Sequence, residues 1–383
     1  MKKKTIFNKK KAVLIIPCLH VKKKYDIFYE VYLCSGSIAK EKEIHMKKAV
    51  IKGTGRYVPE RVVTNNDLTK FMDTSDEWIQ QRTGIKQRHW IDEGAVVGAS
   101  DLGLEASKIA LSKAGWKAED LDLIIFGTLS PDIFFPGSGC LLASKLGLSS
   151  TPTLDIRQQC TSFLYGLTTA DAYIKSGHAS KILLVGGEVH SSGLDKSTRG
   201  RDVTVIFGDG AAAVCIEAVD TDKNVGLIAA DLHTDGNYAE SLALELPASR
   251  EPERGISPDM FNDARYYPNM DGSRIFKLAL KLLPQTAMNT LQKAGLTFDD
   301  IDLVIPHQAN LRINQSFQKI MELPEDKVFH NIAKYGNTTA ASIPLALDDA
   351  IEQSLVDPKK DTLMFIGLGA GVTWGTVIYR FGE

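Results

Sequence analysis

From about Lys47 onward the chain alternates two kinds of apolar pattern. Short continuous runs such as Leu123-Ile-Ile-Phe126, Lys181-Ile-Leu-Leu-Val-Gly-Gly187 and Thr362-Leu-Met-Phe-Ile-Gly-Leu-Gly369 predict strands buried on both faces. Between them lie longer amphipathic stretches, one after Cys160 to Ile174 and another after Asn337 to Ile351, that predict helices. Strands alternating with helices imply an α/β fold with buried, mostly parallel sheets in layers with helices.

The pattern occurs twice. Lys113-Ala-Gly-Trp-Lys-Ala-Glu-Asp-Leu-Asp-Leu-Ile-Ile-Phe-Gly-Thr128 and Lys293-Ala-Gly-Leu-Thr-Phe-Asp-Asp-Ile-Asp-Leu-Val-Ile-Pro-His-Gln308 are identical at 7 of 16 positions, which marks an internal duplication. Both halves finish on a strand, Ala211-Ala-Ala-Val-Cys-Ile216 and Gly375-Thr-Val-Ile-Tyr-Arg380. The halves are therefore 46–220 and 221–383, with a boundary near Ala218 to Asn224. Residues 236–268, rich in Pro, Arg and Asp, break the repeat and predict an inserted loop or cap. The duplication sets Cys160 and Asn337 at corresponding points, each just before a helix. It puts His307 at the C-terminal end of a buried strand, where open α/β sheets form their ligand sites.

Residues 1–45 differ. Lys2-Lys3-Lys4 and Lys9-Lys10-Lys11 precede the apolar segment Ala12 to Leu19, an arrangement resembling a signal peptide. That segment is short and no small-x-small cleavage site follows. The expectation is an extension outside the folded domain.

Composition narrows the class without naming it. Hydrophobic residues make up 44% of the 383, charged ones 24%, and the net charge is −2, so a substantial core is available and a nucleic acid partner is not indicated. No apolar run approaches the ~20 residues of a membrane span. Five irregularly spaced cysteines suggest neither a disulfide framework nor a metal site. A cytoplasmic protein is expected.

Candidate chemistry centres on Cys160. A strand over Leu154-Asp-Ile156, a turn and a following helix place it where a helix N-terminus and an imidazole favour the thiolate, and where unpaired N–H groups polarise a thioester carbonyl. Each candidate also has a structural reading: a buried Cys, a hydrogen-bonded His307 and an N-capping Asn337. Phe207-Gly-Asp-Gly-Ala-Ala212 reads as a tight packing bend rather than a phosphate cradle. The glycines of Gly367-Leu-Gly-Ala-Gly-Val-Thr-Trp-Gly375 supply backbone donors or close strand packing.

Five segments together resemble the thiolase-like superfamily, specifically the β-ketoacyl-acyl-carrier-protein synthase III family. They are Thr74-Ser-Asp-Glu-Trp-Ile79, Arg82-Thr-Gly-Ile85, Pro306-His-Gln-Ala-Asn-Leu-Arg312, Tyr335-Gly-Asn-Thr-Thr-Ala-Ala-Ser-Ile-Pro344 and Gly371-Val-Thr-Trp-Gly375. The resemblance runs from about Lys47 to Phe381 and implies a duplicated thiolase-like fold. It implies that Cys160 takes an acyl group from acyl-CoA and that malonyl-acyl carrier protein then decarboxylates, initiating fatty acid synthesis. His307 and Asn337 would stabilise the enolate, and the backbone N–H groups of Cys160 and Ala370 would form the oxyanion hole. Trp78, Arg82 and Arg201 match positions that hold CoA; Arg312 and Lys277 match the carrier-protein docking surface. Phe135 matches a residue reaching a partner subunit's acyl pocket, so a homodimer is implied. No metal, cofactor, nucleic acid or membrane partner is expected.

The sequence departs from the family around the nucleophile. Gln159-Cys160-Thr161-Ser162-Phe163 replaces Ala-Cys-x-Gly-Phe, and the expectation is that Ser162 narrows or re-aims the acyl pocket. Ser273 stands where Asn is expected near the pantetheine path. The rival readings are a secondary-metabolite ketosynthase III-like acyltransferase, another condensing enzyme of the superfamily, such as those that use a glutamate base, a noncatalytic acyl-binding relative, and a Cys/His/Asn thioester hydrolase.

Overall fold

In the first half, Lys48–Tyr57 (β1), Leu123–Gly127 (β2), Thr153–Ile156 (β3), Lys181–Glu188 (β4) and Gly210–Val219 (β5) form one sheet, ordered β1-β5-β4-β2-β3. In the second, Gly226–Thr234 (β6), Leu303–Pro306 (β7), Thr362–Gly369 (β8) and Thr373–Arg380 (β9) form another, ordered β7-β8-β9-β6. The two orders superimpose, except that the counterpart of β3 is reduced to a single bridge, Val304 to Val328. The computed structural model describes residues 47–250 and 258–382, so the 1–45 extension lies outside the described residues.

The sheets are mixed rather than mostly parallel. β2 runs parallel to β3 and β4, and β7 parallel to β8, because helical crossovers join these strands. The pairs β1/β5, β4/β5, β8/β9 and β9/β6 are antiparallel. The β8–β9 link shows the cause: Ala370 to Val372 is too short for a crossover and turns the chain straight back.

Strand residues alternate between two cores, as a period of two requires. Ile125, Leu184, Phe365 and Val377 point inward, meeting Leu164 and Leu167 of Ser162–Lys175 (its helix α2, after Ala99–Ala114, α1). Ala346 and Leu347 of a later helix, Ser342–Glu352, complete this middle layer. Ile124, Phe126, Leu183 and Val185 point outward beneath Leu102, Ala106 and Ala110 of α1. On the opposite side Val304, Met364 and Ile366 lie beneath Ile275, Ala279 and Leu283 of Gly272–Ala294 (α3). The result is five layers, helix–sheet–helix–sheet–helix. Across the middle, Phe163 meets Phe365 edge to face at 5.3 Å, a geometry that adds about 1 kcal/mol beyond area burial. Buried Asp348 ties the layers at one edge, accepting from Thr54 Oγ1 at 2.6 Å, Arg56 Nη1 at 2.5 Å and Lys113 Nζ at 2.8 Å.

The inserted segment closes over one end. Leu242–Ala243 pairs antiparallel with Asn269–Met270, and its residues help roof the cavity described below. Among the described residues no helix is long and apolar enough to cross a membrane.

Candidate active site

β3 ends at Ile156, and a single 3-10 turn, Gln159–Thr161, delivers the chain into α2. Gln159 adopts φ +44°, a strained conformation for a residue with a Cβ, and this sharp turn raises Cys160 at the sheet's edge. The thiol faces β8 of the other half. A Cβ on Gly369 would stand 2.6 Å from Cys160 Cβ and 3.0 Å from its Sγ, so only glycine permits the approach. Two residues earlier, a Cβ on Gly367 would stand 3.3 Å from His307 Cβ and 3.5 Å from the Cys160 carbonyl. The nucleophile and the histidine thus flank one glycine strand.

His307 follows the last residue of β7, its N–H donating to Ile366 O at 2.8 Å and its carbonyl accepting from Asn314 Nδ2 at 3.2 Å. Neither ring nitrogen has a hydrogen-bond partner among the described residues, although both are buried. A buried polar atom left without a partner calls for an explanation, and a catalytic role is one. Asn337 is held by its backbone to the 206–208 segment: its N–H donates to Ile206 O at 2.9 Å, and its carbonyl accepts from Gly208 N–H at 3.0 Å. Its Oδ1 accepts the Thr339 N–H at 2.8 Å, which leaves the Nδ2 protons for a ligand. Cys160, His307 and Asn337 all line one cavity of about 940 Å³.

Burial sets the charges here. The Cys160 thiol is pushed up to about 12 by burial and then by the negative Glu188, with the Ala370 N–H pulling the other way. His307 is pushed down to about 3 by burial, so its imidazole is neutral. The sequence expectation of a favoured thiolate therefore fails here: a neutral imidazole contributes no charge, and desolvation outweighs the helix terminus. Glu188 is raised to about 7 by burial, although Ser130 Oγ, Thr128 Oγ1 and the N–H groups of Leu129, Ser130 and Ala340 all donate to it.

The residue-level match between halves also needs correction. The turn Thr339–Ala341 repeats Gln159–Thr161, with φ +45° at Thr339 against +44° at Gln159, and helices follow at Ser342 and Ser162. Cys160 therefore corresponds to Ala340, and Asn337 to Arg157. Both alignments set Cys160 opposite a residue just before a helix; only the strained turn fixes the register. Ser162 lies away from the cavity, with its Cβ 2.7 Å from where a Gly127 Cβ would be, so it packs against β2 instead of shaping the pocket. Gln159 does line the cavity, whereas Ser273 is exposed on a separate surface depression.

Trp78, Arg82 and Arg201 converge despite their separation in sequence. The two guanidinium carbons lie 4.3 and 4.6 Å from the Trp78 ring centroid. Asn310, in the cavity wall, donates to Arg82 O at 2.9 Å and so joins this cluster to the cavity. Arg312 opens Leu311–Ile320 (α4) and lies 5.5 Å from the ring of Phe276, also in the wall; Lys277 is the next residue of α3. Phe135 is 79% exposed and does not line this chain's own cavity, whereas Ile133 and Phe134 do.

Several contributors escaped sequence reasoning. Asp209, within the Gly-rich bend, accepts from the N–H groups of Ile91, His190 and Ser191 and from Ser191 Oγ. The bend is thus a buried splint for the segments carrying His190 and Asn337. Glu188 and His190, at and just after the end of β4, carried one usable signal: they end a strand on the side where Cys160 and His307 also lie.

Comparisons with known proteins agree with one another. A family model described as 3-oxoacyl-(acyl-carrier-protein) synthase III fits residues 154–236, and the model of that family's C-terminal part fits 291–381. Beta-ketoacyl-acyl-carrier-protein synthase III of Caldanaerobacter subterraneus subsp. tengcongensis is 39% identical over 335 residues, covering 88% of this chain and 98% of the relative. The protein of that name from Natranaerobius thermophilus is 39% identical over 337 residues, 88% of this chain and all (100%) of the relative. The crystal structure of 3-oxoacyl-acyl-carrier-protein synthase III from Aquifex aeolicus superimposes with a TM-score of 0.78 at 38% identity, over 87% of this chain and 100% of that one. With its duplicated thiolase-like fold, this chain belongs to the β-ketoacyl-acyl-carrier-protein synthase III family of acyltransferase condensing enzymes.

Proposed function

We propose that this enzyme joins an acyl group from acyl-CoA to malonyl-acyl carrier protein, initiating fatty acid synthesis, with Cys160, His307 and Asn337 as its catalytic residues. Cys160 Sγ attacks the thioester carbonyl, the thiol proton leaves with the CoA thiolate, and a Cys160 thioester forms. Malonyl-carrier protein then loses CO₂, leaving an enolate whose oxygen accepts hydrogen bonds from a neutral His307 N–H and from Asn337 Nδ2. The enolate carbon attacks the acyl-cysteine carbonyl. The resulting oxyanion is held by the N–H groups of Cys160 and Ala370 until the Cys160 thiolate is expelled.

The observation that carries this reading is the pairing of two idle donors, His307 and Asn337, with a buried thiol in one cavity. In a hydrolase relay Asn Oδ1 accepts from the histidine. Here Oδ1 is occupied by Thr339 N–H, which weighs against that alternative. Trp78, Arg82 and Arg201 hold the CoA nucleotide in this scheme, and Arg312 with Lys277 receives the acidic carrier protein. The exposed Ile133-Phe134-Phe135 loop meets a second copy in a homodimer, Phe135 reaching its acyl pocket. A cytoplasmic setting follows from acyl-CoA as substrate. The test is sequential: radiolabelled acyl-CoA should label the protein, and malonyl-carrier protein should discharge that label as ketoacyl product. Release of the label as free acid would instead establish a hydrolase.

A further inference from the structure

The cavity wall beside Leu129, Ile206 and Phe207 contains one polar ring, His190. The residue is 7% exposed and lies over Phe207 with ring centroids 4.6 Å apart. Its backbone is fixed by Asp209, which accepts the His190 N–H at 2.7 Å. Nε2 lies 2.9 Å from Thr339 Oγ1. Nδ1 has no partner among the described residues, and the ring borders the cavity. Its polar neighbours in the wall are engaged, Ser130 Oγ with Glu188 and Thr339 Oγ1 with His190 itself.

We propose that His190 determines acyl specificity by hydrogen bonding a hydroxyl group on the acyl chain, so that hydroxyacyl groups are accepted ahead of plain alkyl ones. This rests on the reading that Cys160 is acylated from acyl-CoA. An alkyl chain filling the cavity strips water from Nδ1 and returns nothing, which is the costly way to bury a polar atom. Burial keeps the ring neutral, so one nitrogen donates and the other accepts. If Nε2–H donates to Thr339, Nδ1 seeks a donor; if the Thr339 hydroxyl donates, Nδ1–H seeks an acceptor. A hydroxyl satisfies both tautomers, whereas a carboxylate or ketone satisfies only one.

The test compares butyryl-CoA with 3-hydroxybutyryl-CoA and 4-hydroxybutyryl-CoA as acyl donors to Cys160, followed by intact-protein mass spectrometry on the full chain. At least one hydroxyacyl thioester should react on the order of 10- to 100-fold faster, as kcat/KM, than butyryl-CoA. His190→Leu should abolish or reverse that preference, and His190→Gln should retain part of it and serves if the leucine variant does not fold. Were His190 only a support for Thr339 and hence Asn337, all three donors would slow together; an unchanged ratio overturns the selectivity. A wild-type preference for butyryl-CoA overturns it too. No acylation by any of the three overturns the acyl-enzyme reading together with this one, a failure distinct from acylation without preference.

Discussion

Replacing Gly369 with alanine sets one methyl carbon against the nucleophile and is the sharpest structural test of how the site is built. The new Cβ would lie 2.6 Å from Cys160 Cβ, 3.0 Å from its Sγ and 3.2 Å from its backbone nitrogen. Unstrained carbon contacts sit near ~3.5–4.0 Å, so one partner must retreat by about 1 Å. Neither can do so freely: Gly369 closes a strand paired along its length with β9, and Cys160 rides the strained turn at Gln159. Overpacking of this kind costs about 1–3 kcal/mol of stability. A displacement of about 1 Å at reacting atoms costs on the order of 10²-fold in rate. The assay is rapid-quench acylation of Cys160 by acyl-CoA, with the denaturant midpoint measured alongside. Gly367→Ala is the internal comparison. Its Cβ would meet His307 Cβ at 3.3 Å and Cys160 O at 3.5 Å, so a few tenths of an ångström suffice. Gly369→Ala should lose about 100-fold in acylation, while Gly367→Ala should lose less than about tenfold there and more in malonyl decarboxylation. Near-wild-type acylation by Gly369→Ala with an unmoved midpoint would refute the reasoning.

Three further outcomes follow from the same geometry. Glu188 has a folded-state pKa raised from 4.5 to about 7, so the native state holds a proton the unfolded chain has lost; its own contribution to stability is fully present below pH 4.5 and is lost as pH rises through 7, by roughly 3 kcal/mol. Urea midpoints from pH 4 to 8 should show wild type losing stability relative to Glu188→Gln as pH rises, the buried histidines being common to both; a difference that does not change with pH would contradict it. Trp78→Ala, which removes the ring that both arginines cover, should raise KM for acyl-CoA about tenfold with little change in kcat, while leaving an acyl-pantetheine donor unaffected. Arg312→Glu with Lys277→Glu should lower kcat/KM for malonyl-carrier protein at least about tenfold at low salt and spare malonyl-CoA decarboxylation, as expected for steering between charged surfaces.

What the sequence made legible was whatever depends on local pattern. Buried strands such as Leu123–Gly127 and Thr362–Gly369 announce themselves as unbroken apolar runs, and the repeated Lys-Ala-Gly segments identify the halves. Strand direction is less local: nothing in β9 alone says that it returns antiparallel to β8, because that depends on how few residues connect them. The meeting of Cys160, His307 and Asn337 in one cavity was anticipated from strand ends, but their register was not. A backbone angle at Gln159 and Thr339 sets it, and neither residue type advertises positive φ. Ser162 is a similar case. Its position beside the nucleophile suggested the pocket, yet the helical turn rotates it toward Gly127. His190 and Glu188 stayed invisible because their importance lies in partners far along the chain, Thr339 and Ala340 among them.

The central claim divides the work of the site: the thiol carries the acyl group, and the histidine and asparagine handle the enolate. The most direct measurement is Cys160→Ala assayed separately for acyl transfer from acyl-CoA and for CO₂ release from malonyl-carrier protein. Acyl transfer should vanish while measurable decarboxylation persists, since His307 and Asn337 remain in place. Equal loss of both activities in a folded variant would contradict the account.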